Sequence, residues 1–366
     1  MGIDPGPNGD GLTVSFRISD PVSAGKSESS SSAGGGQPTF PVVIHAPNIT
    51  EAIESLSRMI PKTPVLNHLQ GLFVSEDLAK DGISDVLEFV ERDEETRRNV
   101  NIIIVHGQSV AQLFTGARPL LETSTGLAIR LSSIVTNAPE VQLGEFVALL
   151  QREGIDAIAP MAMLVPPVSP FPDIQPEDRT STTPSELNLT GTALFHEDRL
   201  VGILDETEMS TFQILRNRVM HRAISFSDHD LRGAVRILNS RATIRMGLRG
   251  GLPEYDIRVN INARMTEIVS KESVNEPLIR RIEDVIASQV AQDIKNLIAR
   301  MQSIGSDALG FGRLIHMYHP KIWHEIRDDW PGVYAKIEPN VSVNVSIQEV
   351  GSVTRSISVP RMVPHE

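Results

Sequence analysis

The sequence predicts an α+β protein of three domains, each a mixed or mostly antiparallel sheet packed with helices. Three observations lead to this fold class. Segments with an apolar side chain at every second position, typical of half-buried strands, recur along the chain. Amphipathic helical patterns accompany them in each third. The length of 366 residues also exceeds that of one average domain. The expected domains are residues 1–108, 109–217 and 218–366.

The first domain is predicted to be an α/β unit in which strands and helices alternate. Its last strand is a continuous apolar segment, which is typical of burial on both faces. A Ser/Gly-rich tract at 22–39 cannot contribute to a core, so we expect a mobile loop there. The predicted strands are 12–18, 40–46, 69–75 and 99–107, and the predicted helices are 51–60, capped by Asn48 or Thr50, and 83–93.

The middle domain is predicted to combine helices with a hairpin. Two apolar strands flank the polar tetrad 196–199, which indicates the hairpin turn. Six prolines within 166–187 predict a second exposed loop. The other predicted elements are helices at 120–137, at 142–153 (ended by Gly154) and at 206–217, and a strand at 157–164.

The last domain is predicted to place one long helix on a mostly antiparallel sheet. The helix runs from about Pro277 to Ile304, roughly 40 Å at 1.5 Å per residue, with Asn275 as its N-cap and Gly305 at its end. Strands are predicted at 242–248 and 255–265, on either side of a turn at 249–253, and again at 341–347 and 353–359. The helix carries one apolar stripe at spacings of three and four: Ile282, Ile286, Val290, Ile294, Leu297 and Met301.

Composition excludes several classes of function. The formal net charge of −12 and a pI near 5.4 argue against binding to nucleic acid, and against adhesion to an anionic lipid surface by overall charge. The absence of cysteine excludes disulfides, thiol catalysis and cysteine-ligated metal. No apolar run approaches the ~18 residues of a membrane-spanning helix, and no signal peptide is predicted.

Residues 306–330 carry both tryptophans of the chain and raise the question of a metal site. A zinc site needs three or four converging nitrogen or oxygen ligands. Histidines beside acids are more often solvated, so we predict no metal, no cofactor and no catalytic residue here. The candidate ligands are His316, His319, His324, Glu325, Asp328 and Asp329.

The same segment is better explained as structural. Pro320 can occupy the first turn of a helix, and Pro331 with Gly332 should end that helix. One side of it carries apolar residues and the other carries charged ones. The residues expected to be buried are Ile322, Trp323, Ile326 and Trp330, whereas His324, Glu325, Arg327 and Asp328 are expected to face water.

One motif offers an enzymatic alternative, a serine hydrolase that uses Ser109. A strand, the sequence GQSVA at 107–111 and a helix approach the G-x-S-x-G nucleophile elbow, with alanine at the last position. No HGGG-type oxyanion motif precedes it. A serine that begins a helix is most often an N-cap, and this is the interpretation we prefer for Ser109.

Four stretches resemble the Ger(x)C lipoproteins, the C subunits of spore germinant receptors. The C-terminal signature of that family is D-x-x-G-F-G, then P-x-x-W, then a second tryptophan. Further similar stretches are MGID at 1–4, residues 68–97, and the hairpin LTGTALFHEDRLVGILDETE at 189–208. The residues that match the signature are Asp307, Gly310, Phe311, Gly312, Pro320, Trp323 and Trp330.

The resemblance implies a non-enzymatic receptor subunit without catalytic, metal or cofactor-binding residues. Such a subunit is held by a diacylglyceryl anchor on the outer face of the spore inner membrane and works with integral-membrane A and B subunits. The lipidated cysteine of the family is absent, so we interpret this chain as a soluble truncated form. Direct binding of a small germinant stays open. A ligand-binding protein is a further alternative, although no cluster of arginines or aromatics marks a pocket in the sequence.

Overall fold

A computed structural model describes residues 1–19, 39–60, 64–116, 138–165, 186–218, 222–229, 231–250, 252–270 and 274–349. Several predicted segments lie wholly or almost wholly outside these residues: the Ser/Gly tract at 22–39, the helix at 120–137, the proline-rich loop at 166–187 and the strand at 353–359. The chain divides into two compact units, one formed by 1–209 and 304–316, the other by 210–303 and the residues from 317 onward.

The first unit is built on an eight-stranded mixed sheet with the order β3-β2-β1-β4-β5-β6-β7-β8. Neighbouring strands are parallel from β1 through β4 and β5 to β6, and antiparallel on both flanks. The strands are β1 (Gly2–Pro5), β2 (Leu12–Ser19), β3 (Thr39–Ala46), β4 (Gly71–Ser75), β5 (Asn101–Val105), β6 (Ile158–Val165), β7 (Glu186–His196) and β8 (Arg199–Leu204).

Strand β1 lies near the centre of this sheet and was not predicted. Ile3 pairs with Val14 of β2 on one side and with Val74 of β4 on the other, and its side chain is fully buried. A four-residue segment that holds a glycine and a proline is too short to show a period of two. Its place is fixed by pairing with β2 and β4, which no local pattern reveals. The predicted order of elements, which began with the strand at 12–18, therefore lacked this first strand.

The sheet is continuous across residue 108, where the sequence predicted a domain boundary. Ile104 of β5 pairs with Met161 of β6 in parallel register, and β6 continues into the hairpin of β7 and β8. The predicted first and middle domains therefore share one sheet. The α+β class with mixed sheets is confirmed, while the division into three domains stays a prediction.

The first helix of this unit begins at one of its two predicted caps. The side chain of Asn48 accepts a hydrogen bond from the backbone of Glu51 at 2.9 Å, so Asn48 rather than Thr50 is the N-cap. The helices are α1 (Ile49–Met59), α2 (Glu76–Asp81), α3 (Ser84–Arg92), α4 (Val110–Gly116) and α5 (Leu143–Leu150), and α6 (Glu206–Leu215) continues into the second unit.

The second unit has a four-stranded sheet with the order β12-β11-β10-β9, in which β11 and β12 are parallel. The strands are β9 (Ala223–Asp228), β10 (Leu231–Arg249), β11 (Leu252–Val269) and β12 (Asn340–Glu349). Strand β9 was not predicted, and β10 and β11 extend well beyond the predicted strands. The predicted turn at their tip is confirmed, since β10 ends at Arg249 and β11 begins at Leu252.

The long helix α7 (Glu276–Ile304) confirms the prediction for the last third of the chain. The side chain of Asn275 accepts the backbone N–H of Leu278 at 3.0 Å, and Gly305 has φ +80° just after the helix. All six residues of the predicted stripe are buried. Glu283 of this helix accepts the backbone N–H of Ile347 at 2.8 Å, which ties α7 to strand β12.

The tryptophan segment differs from the prediction in one respect. The structure has α8 (Phe311–Tyr318), α9 (Pro320–Ile326), a 3-10 turn (Arg327–Asp329) and α10 (Trp330–Tyr334) instead of a single helix that ends at Pro331. Pro331 lies in the first turn of α10, where the missing N–H breaks no helical hydrogen bond. Proline therefore begins two short helices in this segment.

Candidate functional site

The carboxylate of Asp307 organises the first half of the signature segment. Its Oδ1 accepts the backbone N–H groups of Gly310 and Phe311, both at 2.9 Å, and its Oδ2 accepts that of Gly312 at 2.8 Å. These donors lie at the start of α8, where the first N–H groups of a helix have no partner within it. Asp307 is 2% exposed, so its carboxylate replaces water for three buried donors.

Asp156 holds this turn in place from the start of β6. The backbone N–H of Asp307 donates to Oδ2 of Asp156 at 2.6 Å, and the N–H of Asp156 donates to the carbonyl of Asp307 at 3.1 Å. His196, at the end of β7, places its Nδ1 3.4 Å from Oδ1 of Asp156. This neighbour raises the pKa of His196 above its ordinary value, although partial burial opposes the shift.

Burial dominates the electrostatics of Asp307. Removal from water raises its pKa to about 8, the three backbone N–H groups oppose the rise, and the charge of Asp156 adds to it.

Ser306 forms a further hydrogen bond between this turn and the sheet, because its hydroxyl donates to the carbonyl of Phe195 at 2.8 Å. The turn is thus fixed to β6 and β7 of the first unit.

Glycines allow the backbones to approach each other closely at this turn. Gly154 has φ +76°, and its carbonyl accepts the N–H of Arg313 at 2.5 Å. A Cβ at Gly154 would lie 2.4 Å from the carbonyl carbon of Gly312. Gly310 has φ +77°, a conformation that L side chains rarely adopt. Both positions need glycine for conformational reasons.

The second half of the signature forms an aromatic cluster in the second unit. The rings of Trp323 and Trp330 are 5.4 Å apart at 63°, and Trp330 stacks on Tyr334 at 5.7 Å. The side chain of Gln302 donates to the carbonyls of Tyr334 and Ile337 at 2.8 and 2.7 Å. Trp323 and Trp330 are 5% and 7% exposed, as predicted, whereas Ile322 and Ile326 are half-buried.

The signature residues are therefore divided between the two units. Asp307, Gly310, Phe311 and Gly312 belong to the first, while Pro320, Trp323 and Trp330 belong to the second. The signature is continuous in sequence, but the structure uses it for two separate packing arrangements.

The candidate metal ligands of this segment do not form a site in the described part of the chain. His324, Glu325, Asp328 and Asp329 are exposed, as expected for His324, Glu325 and Asp328, and His316 and His319 are half-buried. No group of three or more histidines and acids among the described residues is arranged to hold a metal ion.

Ser109 is the N-cap of α4. Its hydroxyl accepts the backbone N–H of Gln112 at 3.1 Å, and the side chain of Gln112 accepts the N–H of Ser109 at the same distance. This reciprocal pair is a capping box. The preferred interpretation of Ser109 is confirmed at the level of local structure.

Two acids that the sequence analysis missed lie at the carboxyl ends of parallel strands. Asp4 accepts the backbone N–H groups of Val110 and Ala111 at 2.8 and 3.1 Å, and its burial raises its pKa. Glu76 pairs with His106 at 2.5 Å and with Lys80 at 2.7 Å. Burial would raise the pKa of Glu76, but these two partners bring it below its ordinary value. The i,i+4 spacing of Glu76 and Lys80 was the one local signal.

Similarity in sequence identifies the class to which the chain belongs, the spore germination proteins. Sequence models of two families match the chain: "Spore germination protein N-terminal domain" at 1–163 and "Spore germination B3/GerAC like, C-terminal" at 190–351. Together they span most of its length. The chain therefore belongs to the Ger(x)C family of spore germination proteins, as the resemblance predicted.

Individual relatives agree with this assignment over nearly the whole chain. Spore germination protein KC of Bacillus subtilis is 21% identical over 360 residues, covering 95% of this chain and 86% of that protein. Spore germination protein B3 of the same organism is 20% identical over 332 residues, covering 89% and 85%. The crystal structure of the GerBC protein has the same fold, with a TM-score of 0.61, 14% identity and coverage of 95% and 96%.

Both of these curated relatives are spore germination proteins. In the described residues no helix combines the length and apolar character needed to cross a membrane.

Proposed function

We propose that this chain is the C subunit of a spore germinant receptor, that it has no enzymatic activity, and that it acts with integral-membrane A and B subunits in nutrient-triggered germination. In this proposal a lipid anchor on its amino-terminal side holds it at the outer face of the spore inner membrane. The observation that carries the proposal is the match of both family models, which covers the first unit and the second.

The geometry of the signature residues supports a structural role for them. The Asp307 carboxylate is occupied by three backbone donors, and the two tryptophans are buried in an aromatic cluster. Such side chains stabilise a fold and leave its exposed surface to contact partners. We therefore assign Asp307, Gly310, Phe311, Gly312, Pro320, Trp323 and Trp330 to the scaffold.

A germination assay tests the proposal. Disruption of the gene, in spores that carry no other receptor, should abolish nutrient-triggered germination, and the intact gene should restore it. Tagged full-length protein, isolated from spore inner membrane, should bring the A and B subunits with it. Normal germination of the disrupted spores, or a preparation without either subunit, would contradict the proposal.

The role of Ser109 separates the proposal from the hydrolase alternative. If the protein has no serine-dependent activity, Ser109→Asp should restore germination fully, because aspartate also caps helices. Fluorophosphonate labelling of the wild-type protein that disappears in Ser109→Ala would favour the hydrolase instead.

A further inference from the structure

The sheet of the second unit has one buried and one exposed face. On β11, residues at odd positions from Tyr255 to Met265 are buried. Arg258 and Asn260, at even positions, are exposed. Successive side chains of a strand point to opposite faces, so the even positions of β11 and their register partners on β10 and β12 form one surface. We call this surface the outer face.

Three arginines cluster at the centre of the outer face. Arg258 pairs in register with Thr243, and Arg241 and Arg245 lie two residues to either side of Thr243 on β10. Diagonal neighbours of this kind have their Cα atoms about 7–8 Å apart, within reach of long side chains. All three arginines are exposed. We refer to Arg241, Arg245 and Arg258 as the arginine triad.

The described acids nearest to the triad form no ion pair with it. Asp256 is the register partner of Arg245, but its Oδ1 accepts a hydrogen bond from Asn340 at 3.0 Å, and no ion pair joins it to the triad among the described residues. Glu254 is paired with Arg249 at 3.2 Å, farther along the hairpin. Like charges this close repel each other and weaken the pairing of the strands.

The neighbours on the other side of Arg258 are short and uncharged. Strand β12 places Ser342 beside Arg258 and Asn344 beside Asn260 in parallel register. With Thr243 and Asn260 they form a low, polar surround from which the longer arginine side chains can project. Such a surface suits contact with a flat partner rather than a ligand in a groove.

The charge of the whole chain makes this local positive surface significant. With a formal net charge of −12, the protein as a whole is repelled by an anionic surface. An approach to such a surface needs a region of exposed positive charge. The triad provides one, since its three arginines are exposed and form no ion pair with any acid that the structure describes. A guanidinium group can also donate two parallel hydrogen bonds to the oxygens of one phosphate. The ammonium group of lysine lacks this paired geometry.

We propose that the arginine triad binds the phosphate headgroups of an anionic phospholipid bilayer and so sets the second unit against the membrane surface. This contact goes beyond the proposed function, in which only a lipid anchor attaches the protein to the membrane. It requires neither the anchor nor the other receptor subunits, so it is tested on the purified chain.

The experiment is co-sedimentation with vesicles of phosphatidylglycerol or of phosphatidylcholine at low salt. The test variant is Arg241→Gln/Arg245→Gln/Arg258→Gln. The control variant is Arg97→Gln/Arg152→Gln/Arg300→Gln, which removes three exposed arginines elsewhere. Each variant changes the formal net charge from −12 to −15, since three positive charges are lost. Far-UV circular dichroism of all three proteins confirms that they are folded.

We expect binding to phosphatidylglycerol only, weakened by salt. Each basic residue near an anionic bilayer strengthens binding roughly fivefold, so the triad variant should bind about 100-fold more weakly. The control should bind like the wild type, and inorganic phosphate at millimolar concentration should compete poorly because it engages the triad without the rest of a surface.

Three outcomes would overturn the proposal. The first is wild-type protein that binds neither kind of vesicle. The second is an equal loss of binding in the control variant, which would indicate a general charge effect. The third is preferential binding to soluble polyglutamate over phosphatidylglycerol, since the partner would then be an acidic protein segment. None of them bears on the germination assay, which tests the receptor role separately.

Discussion

Asp307 and Asp156, 151 residues apart in sequence, exchange two backbone-linked hydrogen bonds: the N–H of Asp307 donates to Oδ2 of Asp156 at 2.6 Å, and the N–H of Asp156 donates to the carbonyl of Asp307 at 3.1 Å. This exchange joins the signature turn to the start of β6. The Asp307 carboxylate then remains available for the N–H groups of Gly310, Phe311 and Gly312, so one residue connects β6 to the start of α8.

Replacement of Asp307 should destabilise the protein strongly. In Asp307→Ala three buried N–H groups lose their acceptor, and we expect a loss of about 2–4 kcal/mol in the free energy of unfolding, measured by urea denaturation. Asp328→Ala is the matched control, because the side chain of Asp328 is 91% exposed and its loss should change stability by less than about 0.5 kcal/mol. Equal stability of the two variants would disprove the structural role of Asp307.

The pH dependence of stability should change in Asp307→Asn. The pKa of Asp307 is raised from 3.8 to about 8 in the folded protein, so the folded state holds a proton that the unfolded state releases. This contribution to stability is fully present below pH 3.8 and is lost as pH rises through about 8. Asparagine cannot titrate, so the free energy of unfolding of the variant should fall less between pH 5 and pH 8.

Urea titrations of both proteins at several pH values measure this difference. The raised pKa of His196 acts in the same direction in both proteins and cancels in the comparison. A difference in stability between the two proteins that stays constant from pH 5 to pH 8 would show instead that the three N–H donors keep Asp307 ionised.

Gly154→Ala should destabilise the protein more than Gly107→Ala. Both glycines have positive φ, +76° and +70°, so alanine causes similar backbone strain of about 1 kcal/mol at each. Only at Gly154 does the new Cβ meet a backbone, at 2.4 Å from the carbonyl carbon of Gly312, whereas nothing lies within 4 Å at Gly107. We expect an additional loss of about 1–3 kcal/mol at Gly154, measured as a lower midpoint of urea denaturation. Equal losses would contradict the close backbone approach.

Trp330→Ala should remove the centre of the aromatic cluster. Trp330 contacts both Trp323 and Tyr334, so its truncation should cost about 3–5 kcal/mol. Tyr318→Ala serves as the control, since Tyr318 is 66% exposed and should be nearly neutral. The chain has only two tryptophans, so fluorescence of the wild-type protein reports on this cluster. A small effect of Trp330→Ala would indicate that the cluster is not part of the stabilising core.

Local chemistry explains which features could be predicted. The caps at Asn48, Ser109 and Asn275 depend on a side chain and a backbone N–H three residues apart. The apolar stripe of α7 and the hairpin at 196–199 also follow from spacing within a short segment. The family signature was recognisable because its glycines and tryptophans are close together in sequence.

Other features involve residues that are far apart. Glu76 and His106 form a pair across 30 positions, and no period in the sequence brings them together. Asp4 caps a helix that begins more than 100 residues later. The arginine triad was equally hidden, because Arg258 meets Arg241 and Arg245 only through the register of β10 with β11.

The sequence by itself determined most helices and strands, the caps at Asn48, Ser109 and Asn275, and the family, since these features depend on residues close together in the chain. Only the tertiary structure decided the central place of β1, the continuity of one sheet across residue 108 and the assignment of residues 304–316 to the first unit. The physical reason is that local hydrogen bonds and side-chain periods act over a few residues. Strand order and burial depend instead on which segments, distant in sequence, pack together and remove their apolar surfaces from water.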